Sequence, residues 1–112
     1  MEDYSNFCLG YAFTARDFND GTLGLAWVAK PGLAGGVCEE RQTIKNEKKS
    51  LNSGIVTLIN YNSRVSDAVS QITFAHEVGH NFGSEHDQDQ IKACTPGDSA
   101  GGNFIMYFIK VF

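Results

Sequence analysis

Apolar residues fall into five blocks separated by polar and glycine-rich stretches. Residues 7–14 (Phe-Cys-Leu-Gly-Tyr-Ala-Phe-Thr) are rich in aromatic side chains and run into a polar Arg-Asp-Phe-Asn-Asp-Gly segment, which predicts a strand entering a turn. Residues 22–29 (Thr-Leu-Gly-Leu-Ala-Trp-Val-Ala) begin after the turn dipeptide Asp20-Gly21 and stop before Pro31-Gly32, predicting a second strand. Gly32, Gly35 and Gly36 bend the chain into Val37-Cys38, and residues 39–50 are mostly charged or polar, which predicts a solvated loop. Leu51 to Tyr61, carrying Ile55, Val56, Leu58 and Ile59, predicts a third strand. After a loop at residues 62–65 the period changes. Ser66 suits an N-cap, Asp67 the first turn, and Val69, Ile72, Phe74, Ala75, Val78 and Phe82 fit a partly buried helix ending near Gly83. Residues 84–102 are polar, with turn signals at Pro96-Gly97 and Gly101-Gly102, and residues 104–112 close the chain as an apolar block.

At 112 residues the chain has room for one domain. With 42% hydrophobic and 20% charged residues it is globular in composition rather than disordered or fibrous. The formal charge of −4 is unevenly placed: residues 1–64 hold seven acids and seven bases, so the surplus belongs to residues 65–112. Without a basic field to attract phosphate backbones or anionic lipid, nucleic acid is excluded as a partner class, and no membrane contact is expected of this segment. There is no run of 18 apolar residues, and the start, Met-Glu-Asp-Tyr, is acidic where a signal peptide is basic and then apolar. Cys8, Cys38 and Cys94 form no C-x-x-C pair, which argues against a zinc ribbon or a thioredoxin-like site. Their odd number leaves at least one without an internal partner, as a free thiol or half of a disulfide.

The acidic part of the chain is also the chemical part. All three histidines lie in His76-Glu77-Val78-Gly79-His80-Asn81-Phe82-Gly83-Ser84-Glu85-His86-Asp87. Helical residues four apart differ by about 40° around the axis, so His76 and His80 share a face one turn apart and can reach one ion. Gly83 can take a positive φ, end the helix and let His86 approach from a loop. Three imidazoles suit Zn²⁺ and leave a fourth position open, the pattern of a catalytic rather than a structural site. Glu77 follows the first ligand and is placed to act as a general base without being a ligand itself. Five fixed positions at about one in twenty each arise by chance about 3 times in 10⁵ chains of this length.

This pattern, His-Glu-x-x-His-x-x-Gly-x-x-His, resembles the signature of the metzincin zinc endopeptidases, and Asp87 after the third histidine resembles its adamalysin branch, the ADAM family. Thr22-Leu-Gly-Leu-Ala-Trp-Val28, Gly35-Gly-Val-Cys38, Leu51-Asn-Ser-Gly-Ile55 and Ile72 to Gly83 are similar to the Kuzbanian or α-secretase type within it, over about residues 4–107. The resemblance implies an α+β metzincin catalytic domain, a twisted mixed sheet over a zinc-binding helix, with residues 1–112 forming part of it. It implies His76, His80 and His86 as zinc ligands, Glu77 as the catalytic base, and Met106 as the methionine turn beneath the metal. It aligns Thr22 to Ala29 with the edge strand that receives an extended peptide. Asp87 is expected either to orient the His86 loop or to be a solvated acid, and Glu85 and Asp89 are expected to be solvated.

The same resemblance implies peptide or membrane-protein ectodomain substrates, Notch-type receptors included. It also implies a membrane-anchored parent acting on the extracellular side of the plasma membrane or in the secretory pathway. The similar proteins have longer metalloprotease domains, so the chain is expected to be truncated at both ends and to expose apolar faces. In them the counterparts of Cys8, Cys38 and Cys94 each pair with a cysteine outside this stretch, so three orphaned disulfide halves are expected. Beyond Tyr107 the family continues into the wall of the specificity pocket, whereas this chain reads Phe-Ile-Lys-Val-Phe. The alternative reading is a non-catalytic fragment that binds zinc or a partner without hydrolysis.

Overall fold

The computed structural model describes residues 6–108. The last part of the closing apolar block, residues 109–112, lies outside them. The first predicted strand forms as β1 (Gly10–Thr14), the second as β2 (Gly24–Ala26) and the third as β5 (Ser53–Thr57). They make one mixed sheet in the order β1-β5-β2, with β5 parallel to β1 and antiparallel to β2. A strand paired on both edges is the natural place for the most apolar segment, and Val56 of β5 is fully buried.

Two hairpins were not expected, one in a stretch read as a loop and one across the end of the third predicted strand and the loop after it. β3 (Gln42–Ile44) and β4 (Glu47–Lys49) pair inside the polar stretch 39–50, joined by Lys45 and Asn46 at φ +50° and +64°. The third predicted strand breaks after Thr57, and β6 (Ile59–Asn60) pairs with β7 (Ser63–Arg64) through Tyr61 and Asn62 at φ +47° and +60°. Positive φ at both central residues is the geometry of a tight hairpin turn. The Asp17 carboxylate accepts the N–H groups of Tyr61 (3.2 Å) and Asn62 (2.6 Å), which holds the second turn against the start of the chain.

The helix forms as α1 (Asp67–Asn81), capped by the Ser66 hydroxyl, which accepts the Val69 N–H at 3.3 Å. It ends as expected at Gly83, whose φ of +96° permits the closing bonds Gly83 N–H to His80 O (2.9 Å) and Ser84 N–H to Gly79 O (3.0 Å). A side chain at Gly83 would also meet the Ala29 carbonyl at 2.9 Å. The face that α1 buries differs from expectation. The buried residues are Thr73, His76, Glu77, His80 and Asn81, whereas Ile72, Phe74 and Phe82 are exposed. The stripe that the helix buries is therefore polar, although Phe74 still meets Tyr11 and Phe13 of β1.

Among the described residues the buried apolar side chains are Leu23, Leu51, Val56 and Met106. The cysteines require a correction. Cys8 and Cys38 are bonded to each other rather than to outside partners, because the Cys38 N–H donates to the Cys8 carbonyl (2.6 Å) and sets the two side chains together. Cys94 forms no disulfide within the described residues, so the correction concerns Cys8 and Cys38 alone.

Candidate metal centre

One helix and the loop that follows it bring the histidines together. His76 and His80 project from consecutive turns of α1, and His86 returns from the loop beyond Gly83. The His86 Nε2 lies 3.1 Å from His76 Nε2 and 3.2 Å from His80 Nε2. Two of the rings are oriented by backbone carbonyls: His76 Nδ1 bonds to Ile105 O (2.6 Å) and His80 Nδ1 to Ser84 O (2.7 Å). A carbonyl only accepts, so each Nδ1 carries the proton and each Nε2 of the neutral ring presents a lone pair.

Converging lone pairs without a shared proton repel, and a cation resolves the conflict. Tetrahedral nitrogen ligands at about 2.1 Å from zinc lie about 3.4 Å apart, close to the separations found here. The donor set therefore fits zinc, and these three histidines form the cluster among the described residues that could hold a metal ion. Burial and the neighbouring histidines push His76 and His86 below the ordinary imidazole range, with burial the larger cause for each. The neutral, ligating form is thereby favoured.

Glu77 lines the same cavity of about 660 Å³ as the three histidines. Its side chain is buried, and desolvation raises its pKa from an ordinary 4.5 to about 7. Gly24 of β2 makes room for it: a Cβ there would lie 2.7 Å from both Cγ and Oε1 of Glu77. Met106 sits beneath the helix where expected, buried against Gly79. Any side chain at Gly79 would strike its sulfur and come within 3.2 Å of its methyl. A glycine inside a helix costs about 1 kcal/mol against alanine, which is itself a sequence signal of a close approach.

Asp87 holds the His86 loop through its backbone rather than its carboxylate, its N–H donating to Met106 O at 2.9 Å. Its Oδ2 is buried without a hydrogen-bond partner, and its charge favours protonated His76 and His86. Glu85 is exposed and pairs with Lys30, while Asp89 is in contact with the Tyr107 hydroxyl. The predicted edge strand is in place. Leu23, Gly24, Leu25 and Ala26 line the cavity, and β2 pairs with β5 on one side alone among the described residues. Sequence reasoning missed Thr73, buried with its hydroxyl unpartnered one turn before Glu77. It also missed Phe108, whose ring stands edge-on to His86 at 5.2 Å.

The sequence profile described as Metallo-peptidase family M12B Reprolysin-like matches residues 1–111. The chain is 54% identical to disintegrin and metalloproteinase domain-containing protein 10 of Homo sapiens, over 95% of this chain and 15% of that protein. Against the Caenorhabditis elegans homolog of protein 10 the identity is 54% over 96% of this chain and 12% of the relative. Against the homolog of protein 17 from the same organism it is 30% over 94% of this chain and 17% of the relative. The chain thus spans less than a fifth of the length of the curated relatives it matches.

Proposed function

The chain belongs to the M12B reprolysin-like metallopeptidases, and from that premise we propose that it is part of a zinc endopeptidase catalytic domain with His76, His80 and His86 as the metal ligands and Glu77 as the general base. The observation that carries this reading is the set of three Nε2 atoms facing one another beside a buried carboxylate in one cavity. Bound there, zinc would polarise the scissile carbonyl and make the attacking water more acidic.

The protein's own residues do the rest. An extended peptide pairs as an added strand with the free edge of β2, which carries its scissile bond across the cavity. Glu77 takes a proton from the attacking water as the C–O bond forms, and passes it to the departing amine nitrogen as the C–N bond breaks. Before metal binds, burial holds this carboxyl above its ordinary range, and a cation beside it would draw it back toward the carboxylate that accepts the proton. The carbonyls of Ile105 and Ser84 hold the rings of His76 and His80 in place throughout.

For the whole protein we propose release of membrane-protein ectodomains, Notch-type receptors among them, on the outer side of the plasma membrane. The resemblance to the Kuzbanian type supports this. No helix among the described residues is long and apolar enough to cross a membrane. The test is hydrolysis of a quenched peptide library by zinc-loaded protein, its Glu77→Ala form and chelated protein. Cleavage by the first alone is the expected result. Equal, negligible signals from all three would move the reading to a fragment that binds zinc without hydrolysis.

A further inference from the structure

Strand β2 and helix α1 face each other across the cavity, and the residue that ties them together is Asn81. Its side chain is fully buried, 0% exposed, at the last position of the helix. The amide nitrogen donates to Trp27 O (3.1 Å) and Ser53 O (3.2 Å). Both partners are carbonyls, which assigns the nitrogen to that side and leaves Oδ1 to accept the Tyr11 hydroxyl. Trp27 directly follows β2 and Ser53 opens β5, and the Trp27 N–H reaches the same Ser53 carbonyl at 3.4 Å. Asn81 thus closes the last rung between the two strands from below.

Tyr11 reaches Asn81 because the residue beside it is glycine. Tyr11 and Gly54 are register partners in the β1–β5 pair, and a Cβ on Gly54 would lie 2.5–2.6 Å from the tyrosine ring and hydroxyl. The backbone adds to the tie: Ala29 N–H donates to His80 O (3.0 Å) and Val37 N–H to Asn81 O (2.8 Å). His80 immediately precedes Asn81, and Glu77 lies one turn back against Gly24 of β2. The C-terminal end of the edge strand is therefore tied to the last turn of the helix by these bonds, and one turn back Gly24 lies close against Glu77.

We propose that Asn81, held by Tyr11, is a positioning residue for peptide hydrolysis: it sets the height of the edge strand, and so of a peptide paired to it, over the Glu77 carboxylate and the three histidines. The proposal rests on the reading of β2 as the substrate edge. A peptide still pairs with β2 when the tie is cut, so binding common to ground and transition states survives and KM holds. Alignment with Glu77 does not survive, and a misplacement of about 1 Å can cost about 10²-fold in rate.

The test compares wild type, Tyr11→Phe and Asn81→Ala, all zinc-loaded, with kcat expressed per zinc-bound site so that unfolded protein does not enter. Expected are zinc affinity and KM within about twofold of wild type, with kcat lowered about tenfold in Tyr11→Phe and about 10²-fold in Asn81→Ala. Tyr11→Phe keeps the test open if the alanine variant does not fold. An unchanged kcat per site in the folded variants, or a raised KM at unchanged kcat, overturns the proposal. If wild type itself cleaves nothing, the hydrolytic reading has failed separately. Amide exchange then decides the tie: the Trp27 and Ala29 amides are expected to exchange about tenfold faster in the variants than in wild type, relative to Leu58, bonded to Thr14 on the far side of the sheet. Equal exchange overturns the proposal.

Discussion

The two faces of α1 are built from opposite materials. One face presents Thr73, His76, Glu77, His80 and Asn81, all buried; the other carries Ile72 and Phe74, 47% and 37% exposed, with Phe82 at 69% just past the end. A helix that buried its apolar stripe would be held by area. This one is held by directed bonds: His76 to Ile105 O, His80 to Ser84 O, and Asn81 to Tyr11, Trp27 and Ser53. Such bonds contribute about 1 kcal/mol net apiece, and a partner left unpaired costs about 1–3 kcal/mol. They specify one orientation of the helix more firmly than they stabilise it. The second face also reaches the sheet at one place, where the Phe74 ring meets Tyr11 at 4.9 Å and Phe13 at 5.5 Å on β1.

The contrast is open to direct attack, and the largest effect is expected from the metal. Zinc at a thousandfold excess over its Kd should raise stability by about 4 kcal/mol, and His80→Ala should abolish that gain. Calorimetric melting with and without a chelator measures it, and a Tm indifferent to zinc would break the contrast at its centre. Next is Gly79→Val, which drives a side chain into Met106 and should cost about 1–3 kcal/mol in urea unfolding. A smaller effect concerns the buried carboxyl. Its folded pKa, about 7, lies above its ordinary 4.5, so in metal-free protein its contribution to stability is fully present below pH 4.5 and is lost as pH rises toward 7. Glu77→Gln should flatten that decline, and urea midpoints measured across this range decide it. Smallest of all, Ile72→Lys on the outward face should shift stability by less than about 1 kcal/mol. A larger loss would mean that Ile72 itself is packed, as Phe74 is.

The site was largely legible in the sequence and its supports were not. His76, His80 and the Gly83 exit follow from local helix geometry, so a spacing of four and a glycine suffice to read them. Ser66 likewise announces its cap. The hairpin β3–β4 escaped because Gln42, Thr43, Glu47 and Lys48 are exposed, leaving no alternation of buried and exposed positions to read. The polarity of the buried helix face escaped because apolar residues were assigned to the core by type. What buries His76 or Asn81 is a set of carbonyls from strands and loops far away in sequence. The Tyr11–Asn81 bond spans 70 residues, and no local pattern encodes it. The pairing of Cys8 with Cys38 was missed for the same reason.

The order of the strands also bears on how the protein comes to be folded. β5 lies between β1 and β2 yet is the last of the three to be synthesised, and its partners in β1 lie 43 residues upstream. Until residue 57 has emerged, neither earlier strand has its neighbour. The shorter closure, from Ala26 to Gly54, still spans 28 residues and must precede any contact within that sheet, which favours slow folding. During that interval Phe13, Leu25 and Trp27 belong to unpaired strand segments, and a nascent chain is most exposed to self-association just before its central strand arrives.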